Sequence, residues 1–185
     1  MLARMLAQPS VPLAAGTWLP EPRTLAPFQA TATTGATVDP ATLSGKPHLL
    51  FFGFTYCPDI CPTTLATLAR VMRKLPPELA DLEVLVVSVD PERDSLPVLR
   101  QYVSAFDIGF TGLRANSLAE LQPLLQSLGA IAVRVPLPGG GYTVDHTAAI
   151  YLLDRKGRYR AVFTAPLDAA MLGADLQRIA DAHAL

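Results

Sequence analysis

The chain has 185 residues, of which half are hydrophobic and 17% are charged, and its formal net charge is −1. This length and apolar content are typical of one folded domain with a sizeable core. The basic residues form no cluster along the chain, which argues against a nucleic-acid partner and against a polybasic contact with a membrane. The two cysteines are too few for a disulfide-stabilised scaffold.

The first 27 residues differ from the rest because they are rich in proline, alanine and leucine. Gln8, Pro9 and Ser10 interrupt their apolar stretch. The stretch is therefore too short for a membrane-spanning helix and a poor apolar region for a signal peptide. We expect residues 1–27 to be a flexible leader or a degenerate export or anchor segment, followed by one domain over residues 28–185.

The pattern after residue 27 predicts an α/β protein. Weak alternation on both sides of Gly35 predicts a small N-terminal hairpin. Apolar runs predict buried strands, and apolar residues at helical spacing predict the helices between them. The predicted strands are residues 49–54, 82–89, 148–153 and 158–164, and the predicted helices begin near residues 58, 95, 117 and 167.

This order of elements is that of a thioredoxin-like fold, with a central mixed sheet flanked by helices. Helical crossovers make the inner strands parallel, and the turn at residues 154–157 adds antiparallel strands. Residues 131–146, with a glycine-rich turn in the middle, predict an insertion before the last hairpin. Ligands and reactive groups in such a sheet gather at the carboxyl ends of the parallel strands.

Both cysteines, Cys57 and Cys61, lie at such an end, between an apolar strand and a helix start. On a helix they would stand one turn apart on the same face, so they could close a disulfide or bind one soft metal ion. Because helix N-terminal N–H groups favour a thiolate, we expect Cys57 to be the more reactive thiol. Two buried, purely structural thiols are a less favoured interpretation. The three intervening residues, against two in most thiol oxidoreductases, leave both chemistries open.

One of the three histidines could complete a metal site. His48 begins a strand at the end opposite Cys57, so we expect a capped or solvated edge residue there. His183 lies near the C-terminus, where we expect it to be exposed. His146 precedes a buried strand, in the loop that faces the cysteines in a thioredoxin-like fold. Two thiolates and an imidazole suit copper, and the neighbouring Asp145 could orient or tune the ring.

Three stretches of this sequence, in this order, resemble the Sco/SenC family. They are residues 51–62 with both cysteines, residues 88–94, and residues 144–154 with His146. The resemblance covers residues from about 27 to the C-terminus. It implies a thioredoxin-like fold and one copper ion per chain, as Cu(I) or Cu(II), bound by Cys57, Cys61 and His146. Asp59 and Asp145 would then be charges that tune the site, although a helix-start carboxylate is an equally good interpretation of Asp59.

The resemblance also implies a metallochaperone that helps to mature the dinuclear copper centre of cytochrome c oxidase, as a copper donor, a thiol reductant or both. The implied partners are the copper-centre subunit of that oxidase and an upstream copper donor or thiol reductant. The implied protein is a monomer in the periplasm, or facing it from the inner membrane. We expect Asp90 and Asp94, in the second stretch, to cap and order the following helix rather than to bind metal.

Three alternatives use the same cysteines differently. A thiol–disulfide reductase would need Cys57 and Cys61 but not His146, whereas a redox sensor cannot be separated from a copper donor by sequence. A peroxidase of the peroxiredoxin type is disfavoured, because it needs a threonine three residues before the reactive cysteine, and Thr55 is two before Cys57. Whether the protein is an enzyme therefore stays open at this point, with a copper chaperone favoured.

Overall fold

The structure is a computed structural model that describes residues 10–185. Over those residues the strands are β1 (Gly16–Arg23), β2 (Ala30–Ala32), β3 (Thr37–Val38), β4 (His48–Gly53), β5 (Glu83–Ser88), β6 (Thr111–Arg114), β7 (Ala132–Pro136), β8 (Tyr142–His146), β9 (Ala149–Leu153) and β10 (Tyr159–Thr164). The α-helices are α1 (Ile60–Met72), α2 (Leu96–Ser104), α3 (Gln122–Leu128) and α4 (Ala169–Asp181).

The main sheet, among residues 10–185, has the strand order β1-β10-β9-β4-β5-β6-β2-β3. Its centre, β4-β5-β6, is parallel, and the remaining pairs are antiparallel. The predicted α/β fold, with its mixed sheet and N-terminal hairpin β2-β3, is therefore confirmed.

The central strands are apolar because both of their faces are covered. Every residue of β4 and of β9 is buried, and β5 is buried from its second residue onwards. Helix α1 packs against α4, while α2 packs against β6. The continuous apolar runs in the sequence follow from this burial, since a strand with helices on both sides has no solvent-facing positions.

The insertion before the last hairpin is itself a hairpin. Strand β7 pairs with β8 in antiparallel register, from Ala132 opposite His146 to Pro136 opposite Tyr142. Within residues 10–185, this pair forms a separate sheet that shares no ladder with the main one. The hairpin (β7 and β8) therefore depends on side-chain contacts and on its two chain connections for its position.

The flexible leader predicted over residues 1–27 is wrong for residues 16–23, because these form β1, which pairs with the edge of β10 that β9 leaves free. The buried carboxylate of Asp175 in α4 accepts hydrogen bonds from the N–H groups of Ala14, Ala15 and Gly16, at 2.7–3.2 Å. The prolines of β1 suggested coil, but an edge strand tolerates proline where no ladder bond is needed. Residues 1–9 lie outside the described part of the chain.

The third predicted helix also differs in detail. Residues 119–121 form a short 3₁₀ turn before α3. The Ser117 hydroxyl accepts from the Glu120 N–H at 3.3 Å, but the Glu120 carboxylate turns to Asn116 instead of closing a capping box on Ser117. Among the helices of residues 10–185, none combines the length and the apolar composition that crossing a membrane requires.

Candidate metal centre

Both cysteines lie at the carboxyl end of β4, in what we call the cysteine segment (residues 51–61). Cys57 lies in the turn before α1, where its N–H donates to the carbonyl of Phe54 at 3.2 Å. Cys61 lies in the first turn of α1, and its N–H donates to the Cys57 sulfur at 3.3 Å. The sulfur of Cys57 therefore accepts a hydrogen bond from an N–H group of the first helical turn. The side chain of Asp59, the N-cap residue, accepts no such bond. Of the two cysteines, Cys61 alone lies within the helix, and Cys57 precedes it.

The two thiols differ in exposure. Cys61 is fully buried, whereas Cys57 is 9% exposed at the floor of a cleft of about 270 Å³. Gly53 makes room for the buried sulfur, since a Cβ there would lie 3.3 Å from Cys61 Sγ and 2.8 Å from the Phe51 ring. A partner molecule would therefore meet Cys57 first, and Cys61 lies behind it.

His146, the last residue of β8, completes the site. Its Nε2 lies 3.4 Å from the Cys61 sulfur, and the three possible ligand atoms of Cys57, Cys61 and His146 all lie within 4.8 Å of one another. The ring makes edge contacts with Phe51 and Phe54, at centroid distances of 6.0 and 5.8 Å. Two sulfurs and one nitrogen converging at this spacing form a donor set that suits a copper ion.

Burial decides the protonation of the site without metal. It raises the pKa of the Cys61 thiol, and the hydrogen bond with Cys57 raises it further. Burial lowers the pKa of His146, although the Thr147 carbonyl and, more weakly, Asp145 act in the opposite direction. At neutral pH His146 is therefore a neutral imidazole ready to bind a metal, whereas Cys61 must lose a proton when a metal binds.

Of the two carboxylates predicted to tune the site, Asp145 lines the same cleft as Cys57 and His146. Asp59 is exposed, and its carboxylate accepts from the Thr63 hydroxyl at 3.3 Å. Asp145 is exposed and acts on His146 only through its charge. The group beside His146 Nδ1 is the carbonyl of Thr147, at 3.3 Å. A carbonyl oxygen belongs to every residue, so no sequence signal could have singled out this one.

The other two histidines lie away from the metal centre. His183 is exposed, as its position near the C-terminus predicts. His48 is 5% exposed rather than solvated, and its Nε2 lies 3.6 Å from the Glu83 carboxylate. His48 also begins β4, whose other end leads to the cysteines, so it is separated from them by the length of the strand.

The prediction that Asp90 and Asp94 cap the following helix is wrong. Helix α2 is capped by the Ser95 hydroxyl, which accepts from the Val98 N–H. Asp90 and Asp94 are fully buried, and they bind groups beside the metal centre instead. No local pattern pointed to this burial, since the partners of these carboxylates, Thr55 and Tyr142, lie in segments distant in the chain.

Comparison with known proteins assigns the chain to a family. A family model described as SCO1/SenC matches residues 18–181. This chain belongs to the SCO1/SenC family. The match begins inside β1, so residues 18–23 of this edge strand, which were predicted to belong to a leader, lie within the SCO1/SenC region.

Relatives and solved structures agree with this family. A Stutzerimonas stutzeri protein whose name suggests copper binding is 40% identical over 141 residues, which are 76% of this chain and 69% of that protein. The structure of Bradyrhizobium japonicum ScoI with copper bound is 40% identical, with a TM-score of 0.72, and the match covers 83% of this chain and 98% of that one. The predicted Sco/SenC membership is therefore confirmed.

A third relative concerns the redox state of the cysteines. The structure of BsSco is 26% identical, with a TM-score of 0.66 over 87% of this chain and 96% of that one. BsSco is described as a member of the Sco family of cytochrome c oxidase assembly proteins that has a disulfide switch.

Proposed function

We propose that this SCO1/SenC protein binds one copper ion through the sulfurs of Cys57 and Cys61 and Nε2 of His146. The observation that carries the proposal is the convergence of these atoms within 4.8 Å of one another. Further support comes from the relative of the same family that has been solved with copper bound. The soft sulfurs favour Cu(I), and the imidazole helps to hold Cu(II).

The protein then acts as a metallochaperone, with copper as its cargo. Three protein ligands leave a coordination position free for a group of the receiving protein, and Cys57 lies at the floor of an open cleft. Ligand exchange can therefore begin at Cys57 while Cys61 and His146 still hold the ion. Since Cys61 is protonated in the apo protein, release of copper is favoured when this thiol regains its proton.

We propose the dinuclear copper centre of cytochrome c oxidase as the destination, with the subunit that carries it as the partner. Support comes from BsSco, which is described as belonging to a family of cytochrome c oxidase assembly proteins. In this proposal the protein works as a monomer, facing the periplasm. An upstream donor loads its copper, or an upstream reductant keeps its cysteines as thiols.

A second function, thiol–disulfide exchange, is favoured by the contact between the cysteines. The Cys57 thiolate would attack a partner disulfide to form a mixed disulfide and release one partner thiol. Cys61 would then attack Cys57, release the second partner thiol and leave a Cys57–Cys61 disulfide, with the two electrons transferred to the partner. A redox sensor would use the same pair, and the disulfide form could not bind copper through thiolates.

Copper titration of the reduced protein tests the proposal, with His146→Ala as the variant and His183→Ala as the matched control. We expect wild type and His183→Ala to bind one copper per chain, with an intense thiolate-to-Cu(II) absorption band. His146→Ala should lose or shift this band, and its Cu(II) affinity should fall by more than about 10-fold, since a ligand is removed rather than an outer partner. Absence of tight copper binding in all three proteins, with a readily reduced Cys57–Cys61 disulfide, would leave the reductase.

A further inference from the structure

The connection between β5 and α2 lies between the two halves of the metal centre. We call it the 90–94 loop (residues 90–94). Its first residue, Asp90, comes two residues after the end of β5, at the same sheet edge as the cysteine segment. One side of this loop binds the cysteine segment, and the other binds the hairpin that carries His146.

On the cysteine side, the contact is made by Asp94. Its fully buried carboxylate accepts from the Thr55 hydroxyl at 2.6 Å, and also from the Thr55 N–H at 3.2 Å. A hydrogen bond of 2.6 Å from the Ser88 hydroxyl completes its partners. Because Thr55 lies two residues before Cys57, this bonding fixes the backbone that leads into the first thiol.

On the histidine side, the contacts converge on Tyr142, the first residue of β8. Its hydroxyl donates to Asp90 at 2.8 Å, and its carbonyl accepts from Arg93 Nη1 at 3.1 Å. A separate ion pair of 2.7 Å joins Arg134 of β7 to Glu92. The hairpin therefore contacts the 90–94 loop from both of its strands, and the exposed Arg134–Glu92 pair contributes little to holding it there.

Arg93 is the residue that contacts both sides. Its guanidinium carbon lies 4.0 Å from the ring centroid of Tyr142, 4.7 Å from that of Tyr56 and 6.0 Å from that of Phe54. An ion pair with Asp90 fixes the guanidinium in place. A planar guanidinium can stack on aromatic rings on its two faces while its edge donates hydrogen bonds, which an ammonium cannot do.

We propose that Arg93 is a positioning residue that clamps the hairpin against the cysteine segment and so sets the distance between His146 and the two thiols. Such a clamp is needed because, in residues 10–185, β7 and β8 share no ladder with the main sheet. The copper readout of this proposal rests on the proposed function, whereas the geometric role of Arg93 applies to the apo protein as well.

Arg134 offers a matched control. Its guanidinium carbon lies 4.2 Å from the same Tyr142 ring, and it forms the ion pair with Glu92. Its cation–π contact is with the Tyr142 ring. Arg93 contacts the Tyr142 ring as well, and it also contacts two rings of the cysteine segment, those of Tyr56 and Phe54. Arg93→Met and Arg134→Met therefore each remove one cation from Tyr142, but only Arg93→Met also removes cation–π contacts with the cysteine segment.

The first test measures Cu(II) affinity and the thiolate-to-Cu(II) band. We expect Arg93→Met to lower Cu(II) affinity by about 10-fold, as for other partners outside the ligand set, and to shift the band. Cu(I) affinity, which the two thiolates dominate, should change less. Arg93→Lys should behave like Arg93→Met, because the charge alone does not restore the stacking, while Arg134→Met should match wild type.

The second test needs no copper and uses the burial of Cys61 beneath His146. In a Cys57→Ser background, the rate at which iodoacetamide alkylates Cys61 reports how often the hairpin moves away from Cys61 and exposes its thiol. We expect Arg93→Met to raise this rate several-fold and Arg134→Met to leave it unchanged, with unfolding temperatures measured to exclude a global loss of stability.

Equal behaviour of the two methionine variants in both tests would overturn the clamp, as would an Arg93→Met protein with unchanged copper spectrum and alkylation rate. Full recovery in Arg93→Lys would also overturn it, because charge would then suffice. If no protein of the set binds copper, the proposed function fails, and the alkylation rates still decide the role of Arg93.

Discussion

The cysteine segment and the histidine hairpin bring ligands to the same point, but they are held in different ways. Cys57 and Cys61 follow β4, a strand in which every residue is buried and which has hydrogen-bonded neighbours on both edges. His146 ends a hairpin that, over residues 10–185, has no ladder with the main sheet, and three of the five residues of β7 are exposed. The two sulfurs are therefore held by the rigid core, whereas the imidazole is held by a peripheral hairpin.

This difference suits the proposed metallochaperone role, in which the site both holds and releases its ion. In the reduced protein the rigid thiols keep a two-sulfur site for Cu(I), while a ligand on a peripheral hairpin can be added or withdrawn at a small free-energy cost. The hairpin is attached by side chains such as Arg93 and Tyr142, so its position depends on a few contacts. In a strand of the main sheet, the same histidine would be fixed by backbone hydrogen bonds on both sides.

The largest expected difference between the core strand β4 and the hairpin is in how much a substitution lowers the free energy of unfolding. Phe52→Ala removes a fully buried ring from β4, one that packs edge-on against Tyr151, and should lower the free energy of unfolding by about 3–5 kcal/mol. Val133→Ala in β7, where the side chain is 54% exposed, should change it by less than about 0.5 kcal/mol. Urea denaturation of the apo proteins measures both, and equal losses would show that the hairpin is part of the core.

A smaller effect concerns the anchor of the cysteine segment. Thr55→Val removes the 2.6 Å hydrogen bond to buried Asp94 and should cost about 1.5–3 kcal/mol, the usual contribution of a bond to a charged group. The control, Thr63→Val, removes a 3.3 Å bond to exposed Asp59 and should be nearly neutral. Urea denaturation again measures both free energies of unfolding. A neutral Thr55→Val would mean that the hydroxyl bond to Asp94 does not fix the cysteine segment.

The smallest effect lies at the opposite end of β4, in the pH dependence of stability. Burial lowers the pKa of His48, so below the ordinary value of about 6.5 the unfolded chain binds a proton that the folded chain does not. Stability should therefore fall as the pH drops from 7.5 towards 5, and less steeply in His48→Asn than in wild type. A slope that His48→Asn does not reduce would contradict this assignment.

Elements with a clear hydrophobic pattern could be predicted from the sequence. Residues 49–54 and 82–89 could be recognised as buried strands because both faces of each are covered, which leaves an unbroken apolar run. The prediction that Cys57, Cys61 and His146 form one metal site came from the topology of the predicted fold together with the family resemblance. Strand β1 was missed because its prolines imitate coil, and its docking depends on Asp175, far away in the chain.

The sequence by itself determined the α/β fold, the family and the three chemically suited ligand residues, because strand and helix periods and short motifs are local properties of a chain. Only the tertiary structure decided which charged side chains contact the two segments that carry the candidate ligands. Asp90, Arg93 and Asp94 look like a helix start in the sequence, yet their partners Thr55 and Tyr142 are 39 and 49 or more residues away. A contact between residues so distant in the chain leaves no periodic signal, since it exists only after the sheet has brought the strand ends together.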